Sequence, residues 1–133
     1  MLLDLQNLFS DNQAITSGTA VSANTVNFGK NDVSFVPVII QATSDFSDLT
    51  SLTAEIQTSS DIAFTTPVTL LSSTMTLANL KAGAKFPISY LPKGNLGYMR
   101  LAYTVTGSAE TTGKITAGVV ASDEAGYHEI QGF

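Results

Sequence analysis

The sequence predicts an all-β protein, a sandwich or barrel of about eight strands, and three observations carry that prediction. Met99, Leu101, Tyr103 and Val105 alternate with Arg100, Ala102, Thr104 and Thr106, the period-two signature of a half-buried strand. The chain holds 14 Ser and 17 Thr, and β-branched threonine prefers pleated, half-solvated positions over helices. Turn residues recur at strand-length intervals, as in Gly29-Lys30-Asn31-Asp32, Ser59-Ser60-Asp61 and Pro92-Lys93-Gly94-Asn95.

Each element follows from local pattern. Val21 to Phe28 reads as one strand. Phe35 to Ala42 is a nearly continuous apolar run interrupted by Pro37, which cannot donate to a ladder and so marks an edge or a bulge. After the loop Ser44 to Asp48, Leu52, Ala54 and Ile56 alternate with Thr53, Glu55 and Gln57 as a half-buried strand. Short strands follow at Pro67 to Leu71, Met75 to Leu77 and Lys85 to Tyr90. Leu96 to Thr106 and Lys114 to Ser122 close the set.

The ends differ from this. Leu2, Leu5, Leu8 and Phe9 recur at spacings of three and four, which places them on one face of a short helix broken by Ser10-Asp11-Asn12. Such a helix is marginal alone and must dock. It reads either as a cap on its own core or as a short helical or extended arm for a neighbour. The arm reading predicts that removing residues 1–11 weakens attachment more than folding. Residues 123–133 read as a tail carrying Tyr127, Ile130 and Phe133. At 133 residues the chain reads as a single domain, with an N-terminal segment 1–17, a strand region 18–122 and the tail 123–133.

Composition bounds the function. Charged residues make up 13%, about half the usual share, so the surface is neutral and hydroxyl-rich, suited to packing against other proteins. The net charge is −5 and the six cations are scattered singly from Lys30 to Lys114, which argues against nucleic-acid binding. There is no cysteine for a disulfide or thiolate metal site. No window approaches the ~18 apolar residues of a membrane span, and the start lacks the basic and apolar regions of a signal peptide. The chain is expected to be made in the cytoplasm.

No catalytic, metal or cofactor constellation is expected. The single histidine, His128, sits among Asp123, Glu124 and Glu129, but no second histidine or rigid helix fixes a metal geometry. Asp45, Asp48 and Asp61 stand in Ser/Thr-rich turns, where Asp usually caps local backbone rather than doing glycoside chemistry. A serine nucleophile would have only His128 as base. Gly94-Asn95-Leu96-Gly97 lacks the following helix of a phosphate loop. Tyr103 falls on the apolar face, and Tyr98 falls on the polar face as a candidate contact residue. Tyr90, Tyr98 and Tyr103 leave a sugar-binding groove open, with Tyr98 and Tyr127 as its exposed candidates.

Together these segments resemble a known family, the jelly-roll capsid cement (decoration) proteins of tailed bacteriophages. The resemblance runs through the opening Met1 to Thr16, Leu49-Thr50-Ser51-Leu52-Thr53 with Ile56-Gln57-Thr58, and Leu80-Lys81-Ala82-Gly83 with Phe86-Pro87. It continues in Leu91-Pro92-Lys93-Gly94, Tyr98 to Val105 and Gly113-Lys114-Ile115-Thr116-Ala117-Gly118. It implies a jelly roll on the outer surface of a virion, bound where major capsid proteins meet and stabilising the expanded shell. It also implies a homo-oligomer, dimer or trimer, with no enzymatic activity, nucleic acid or membrane partner. Leu2, Leu5, Leu8, Phe9, Tyr98, Tyr127 and Phe133 are the expected capsid or subunit contacts. The alternative is a carbohydrate-binding jelly-roll module on a virion or cell surface.

Overall fold

Eight strands form two antiparallel sheets packed face to face in the computed structural model, which describes residues 3–16, 18–27, 29 and 36–120. The strands are β1 (Leu3–Ala14), β2 (Thr19–Val21), β3 (Val26–Asn27), β4 (Val38–Ser44), β5 (Leu49–Ser59), β6 (Val68–Thr76), β7 (Tyr98–Gly107) and β8 (Lys114–Val120). One sheet has the order β1-β8-β4. The other has β2-β7-β5-β6, with β3 also on β7.

Residues 83–91 complete the first sheet. They run beside the free edge of β4 through Ala42 N–H to Ala84 O (2.8 Å), Phe86 N–H to Ile40 O (2.9 Å) and Val38 N–H to Ser89 O (2.9 Å), with bridges Gln41–Lys85 and Pro37–Tyr90. Pro87 has no N–H to donate, so the expected strand at Lys85 to Tyr90 is an irregular one. With this segment counted, and with β2 and β3 as one interrupted strand, the connections are those of a jelly roll. Successive strands change sheet at every step except the β5–β6 hairpin.

The core lies between the sheets. Leu52, Ala54 and Ile56 of β5 and Met99, Leu101 and Tyr103 of β7 face Val38, Ile40 and Ala42 of β4 and Ile115 and Ala117 of β8, all fully or nearly fully buried. Period-two alternation over β5 and β7 therefore decides which face is inside. Tyr103 is core, as its position in the sequence predicts. Its hydroxyl donates to Ser10 Oγ across 2.7 Å, and Ser10 in turn donates to Gln13 Oε1 at 2.8 Å. Burial pushes the phenol above its ordinary range, against a smaller lowering by Ser10.

Four expectations are corrected. The N-terminal residues form no helix. Residues 3–14 are extended, as the non-helical form of the arm requires, but they are a strand of the sheet rather than an appendage. Three register shifts along β8 break the period-two pattern. A bulge turns both Phe9 and Ser10 inward, so leucine and phenylalanine spacings imitate a helical face. Because Phe9 is fully buried in the core, removing residues 1–11 deletes most of a sheet strand, so a loss of folding stability is expected from that deletion.

The stretch Val21 to Phe28 is split at Ser22, whose Oγ takes the Leu101 N–H (3.0 Å) in place of a backbone carbonyl. Asn24 then turns its N–H to Phe9 O at 3.0 Å. The two short strands expected at Pro67 to Leu71 and Met75 to Leu77 are one strand, β6, followed by a 3-10 turn at Leu77–Asn79. Leu2, Phe28, Phe35, the side chain of Leu5 and residues 121–133 with Tyr127, His128, Ile130 and Phe133 lie outside the described residues.

Candidate interface surface

The outer face of the five-stranded sheet is a ladder of hydroxyls. Register places Thr19, Thr104, Thr53 and Thr74 in one row across four strands. Thr106, Ser51 and Thr76 form the row on one side, and Val21, Ala102, Glu55 and Ser72 the row on the other. Neighbouring threonines bond each other, Thr53 Oγ1 to Thr74 Oγ1 at 2.8 Å and Thr19 Oγ1 to Thr104 Oγ1 at 3.3 Å. A hydroxyl has one donor and two acceptor sites, so each row keeps capacity for an incoming partner.

Charge on this face is sparse: Glu55 in one row and Arg100 in the next. Arg100 is already engaged. Its Nε donates to Gln57 Oε1 at 3.0 Å, and its guanidinium lies 4.2 Å from the centroid of the Phe64 ring.

Exposed apolar residues gather at the end of the sandwich where β5 runs into β6. Ile62 is 69% exposed, Val68 43% and Leu96 42%. Val68 lies opposite Thr58, and the Leu96 N–H donates to Thr58 Oγ1 at 2.9 Å, which fixes these residues at one end of the sandwich. The loop that presents Ile62 is braced by Asp61. Ser59 Oγ (2.7 Å) and Thr65 Oγ1 (2.7 Å) both donate to its carboxylate, and these bonds hold it below the usual carboxylate range. An exposed isoleucine on a braced loop can act as an anchor without ordering cost at the moment of contact.

The opposite end is organised by Glu110, which sequence reasoning missed. Its carboxylate is buried and takes five backbone N–H groups: Asp48 at 2.8 Å, Ser47 at 2.9 Å, Gly113 at 2.9 Å, and Leu49 and Thr112 at 3.2 Å. Burial works to raise this carboxyl, but the amides of Asp48, Ser47, Leu49 and Thr112 outweigh it and bring it to about 2. The cage ties the β4–β5 loop to the β7–β8 loop. Gly113 makes room for it, since a Cβ there would lie 2.2 Å from the Phe46 ring. No local sequence rule reads a cage three of whose five donors, those of Ser47, Asp48 and Leu49, stand more than 60 positions from the carboxylate. The only local trace is the Gly107-Ser-Ala-Glu-Thr-Thr-Gly113 run between strands.

The aspartates that could suggest chemistry are engaged in the same way. Asp48 Oδ2 accepts from Thr111 N–H at 3.1 Å and Ser47 Oγ at 3.0 Å, and Asp45 Oδ1 accepts from Ala82 N–H at 2.7 Å. They cap backbone, as turn aspartates do. Among the described residues no group of three or more His, Cys, Asp and Glu is placed to hold a metal ion. No helix among them is long and apolar enough to cross a membrane.

Of the expected contact residues, Phe9 and Leu8 are buried in the chain itself and present nothing outward. Tyr98 is half-buried beside Ser59 at the apolar end. The structure brings forward Ile62, Val68, Leu96 and the threonine rows instead.

Residues 9–119 match the family model Bbp16. A search of curated proteins gives no match.

Proposed function

This chain belongs to the Bbp16 family, and we propose that it is a structural virion protein. It binds the outside of a tailed-phage capsid where major capsid proteins meet, and it stabilises the expanded shell. The observation that carries this reading is the four-strand-wide Ser/Thr face, together with exposed Ile62, Val68 and Leu96 at one end of the sandwich. Such a face makes many hydrogen bonds to a protein partner while its few charges keep the desolvation cost low. The resemblance of the sequence to jelly-roll cement proteins supports the same reading.

The mechanism is clamping. A subunit that touches two capsid proteins at once binds the assembled shell and not its separated parts, so it stabilises the shell by mass action. A homo-oligomer multiplies weak contacts into avidity when their spacing matches the lattice. Rigid loops at both ends, one braced by Asp61 and one by Glu110, keep that spacing fixed.

The test is co-sedimentation of the purified protein with expanded shells that lack it, followed by heating. Stoichiometric binding and a raised shell disruption temperature support the proposal. An absence of binding to cognate shells overturns it and turns attention to the carbohydrate reading. That alternative would rest on Tyr90, 45% exposed, and a glycan array tests it directly.

A further inference from the structure

Three of the four sheet edges in this sandwich are covered or blunted among the described residues. The far edge of β4 carries residues 83–91. The far edge of β1 is met by Asn24, whose N–H and Nδ2 donate to Phe9 O (3.0 Å) and Leu8 O (3.2 Å). The β2/β3 edge is broken into strands of three and two residues. The fourth edge, β6, has none of these protections. It is nine residues long, reads Val-Thr-Leu-Leu-Ser-Ser-Thr-Met-Thr, and contains no charge, proline or glycine. A long, uncharged, unpaired edge is a template for another strand.

We propose that β6 is a self-association edge, on which a second copy of this chain pairs antiparallel about a two-fold axis at Ser73, joining the two outer sheets into one. The occupant follows from the strand's own pattern. Leu71 to Thr76 pairs with β5 without a register shift, and the one irregularity falls at Leu70. Within that regular stretch Leu71, Ser73 and Met75 lie opposite Ile56, Ala54 and Leu52 and so share the core-side face, while Ser72, Thr74 and Thr76 share the outer face.

Directly opposed residues must share a face, so the axis passes through a single residue. Centring on Ser72 draws the Leu70 bulge into the ladder, and centring on Thr74 sets Met75 against a serine. Centring on Ser73 sets Leu71, 39% exposed, against Met75 of the second copy, twice, with the small Ser73 pair between them. It also extends the outer face, since Ser72 meets Thr74 of the second copy. No charged residue is brought opposite another, so the −5 charge of each chain is not concentrated at the contact.

This deepens the homo-oligomer within the proposed function and rests on it only there. It is tested on purified protein without shells, so its failure and a failure to bind shells are read separately. A ladder this short buries less than the ~1,200 Å² of a stable interface, so dimers are expected by sedimentation velocity at ~100 µM and monomers at ~1 µM.

The chain has no cysteine, so single-cysteine variants report the register. Positions opposite their own copy fall within disulfide reach. Positions one residue off the axis are about 8 Å apart across the pair, beyond it. Ser73→Cys is therefore expected to crosslink at least ~10-fold faster than Ser72→Cys or Thr74→Cys alone, and a mixture of those two to crosslink as fast as Ser73→Cys. Circular dichroism checks that each variant is folded, and the mixture decides if Ser73→Cys is not. A wild-type chain that stays monomeric at ~100 µM overturns the proposal. So does fastest crosslinking at position 72 or 74 alone, or a dimer that crosslinks at none of the three.

Discussion

Replacing Glu110 by glutamine should remove a large part of the stability of this fold, and the loss should depend on pH in a defined direction. Holding the carboxyl at about 2 rather than its ordinary 4.5 corresponds to ~3 kcal/mol, at about 1.4 kcal/mol for each tenfold change in proton affinity. Ser47, Asp48, Thr111 and Thr112 around it are exposed, and screening by solvent brings the charge contribution toward ~2 kcal/mol. Glutamine adds a geometric loss. Oε1 faces the amides of Asp48 and Leu49 while Oε2 faces those of Ser47, Thr112 and Gly113. Whichever way the amide is turned, its NH2 meets N–H donors. The expected total is ~2–4 kcal/mol near neutral pH, or roughly 10 °C in Tm for a chain of this size.

The sign follows from linkage. A carboxyl whose folded pKa is depressed adds stability above its unfolded pKa and loses it as pH falls through the folded value. The Glu110 contribution is therefore complete above about pH 5 and roughly 60% gone by pH 3. Other carboxylates titrate in the same window, so the quantity to measure is the difference between wild type and Glu110→Gln in urea melts followed by circular dichroism at pH 7 and pH 3. The gap should narrow by ~1–2 kcal/mol. A variant as stable as wild type at pH 7, or a gap unchanged at pH 3, refutes the cage as an electrostatic staple.

Gly113→Ala should destabilise by ~2–4 kcal/mol in the same melts, because its Cβ meets the buried Phe46 ring. Tyr103→Phe and Ser10→Ala should each cost ~1–2 kcal/mol, and the double variant less than their sum, because the two hydroxyls bond each other in a buried site. Ile62→Asp should leave urea stability within ~0.5 kcal/mol, since the side chain is 69% exposed, while reducing co-sedimentation with shells at least ~10-fold. Deletion of residues 1–11 should abolish the cooperative melt altogether, since it removes Phe9 and most of β1 from the core.

What the sequence determined by itself is what depends on local period and turn chemistry. The alternation in Leu52, Ala54 and Ile56 and in Met99, Leu101 and Tyr103 was enough to place β5, β7 and their inward faces. The Ser/Thr excess announced a solvated sheet face, and the turn aspartates announced backbone caps. Tertiary structure alone decided the rest. Three register shifts against β8 turned an apparent helical spacing at Leu5, Leu8 and Phe9 into a strand. Pairing with residues more than 60 positions away drew Glu110 under the amides of Ser47, Asp48 and Leu49, beside the local ones of Thr112 and Gly113, and left β6 as the bare edge. The physical reason is common to these cases. A strand's partners, a buried carboxylate's donors and an edge's exposure are properties of segments distant in the chain, and no local period encodes which distant segment arrives.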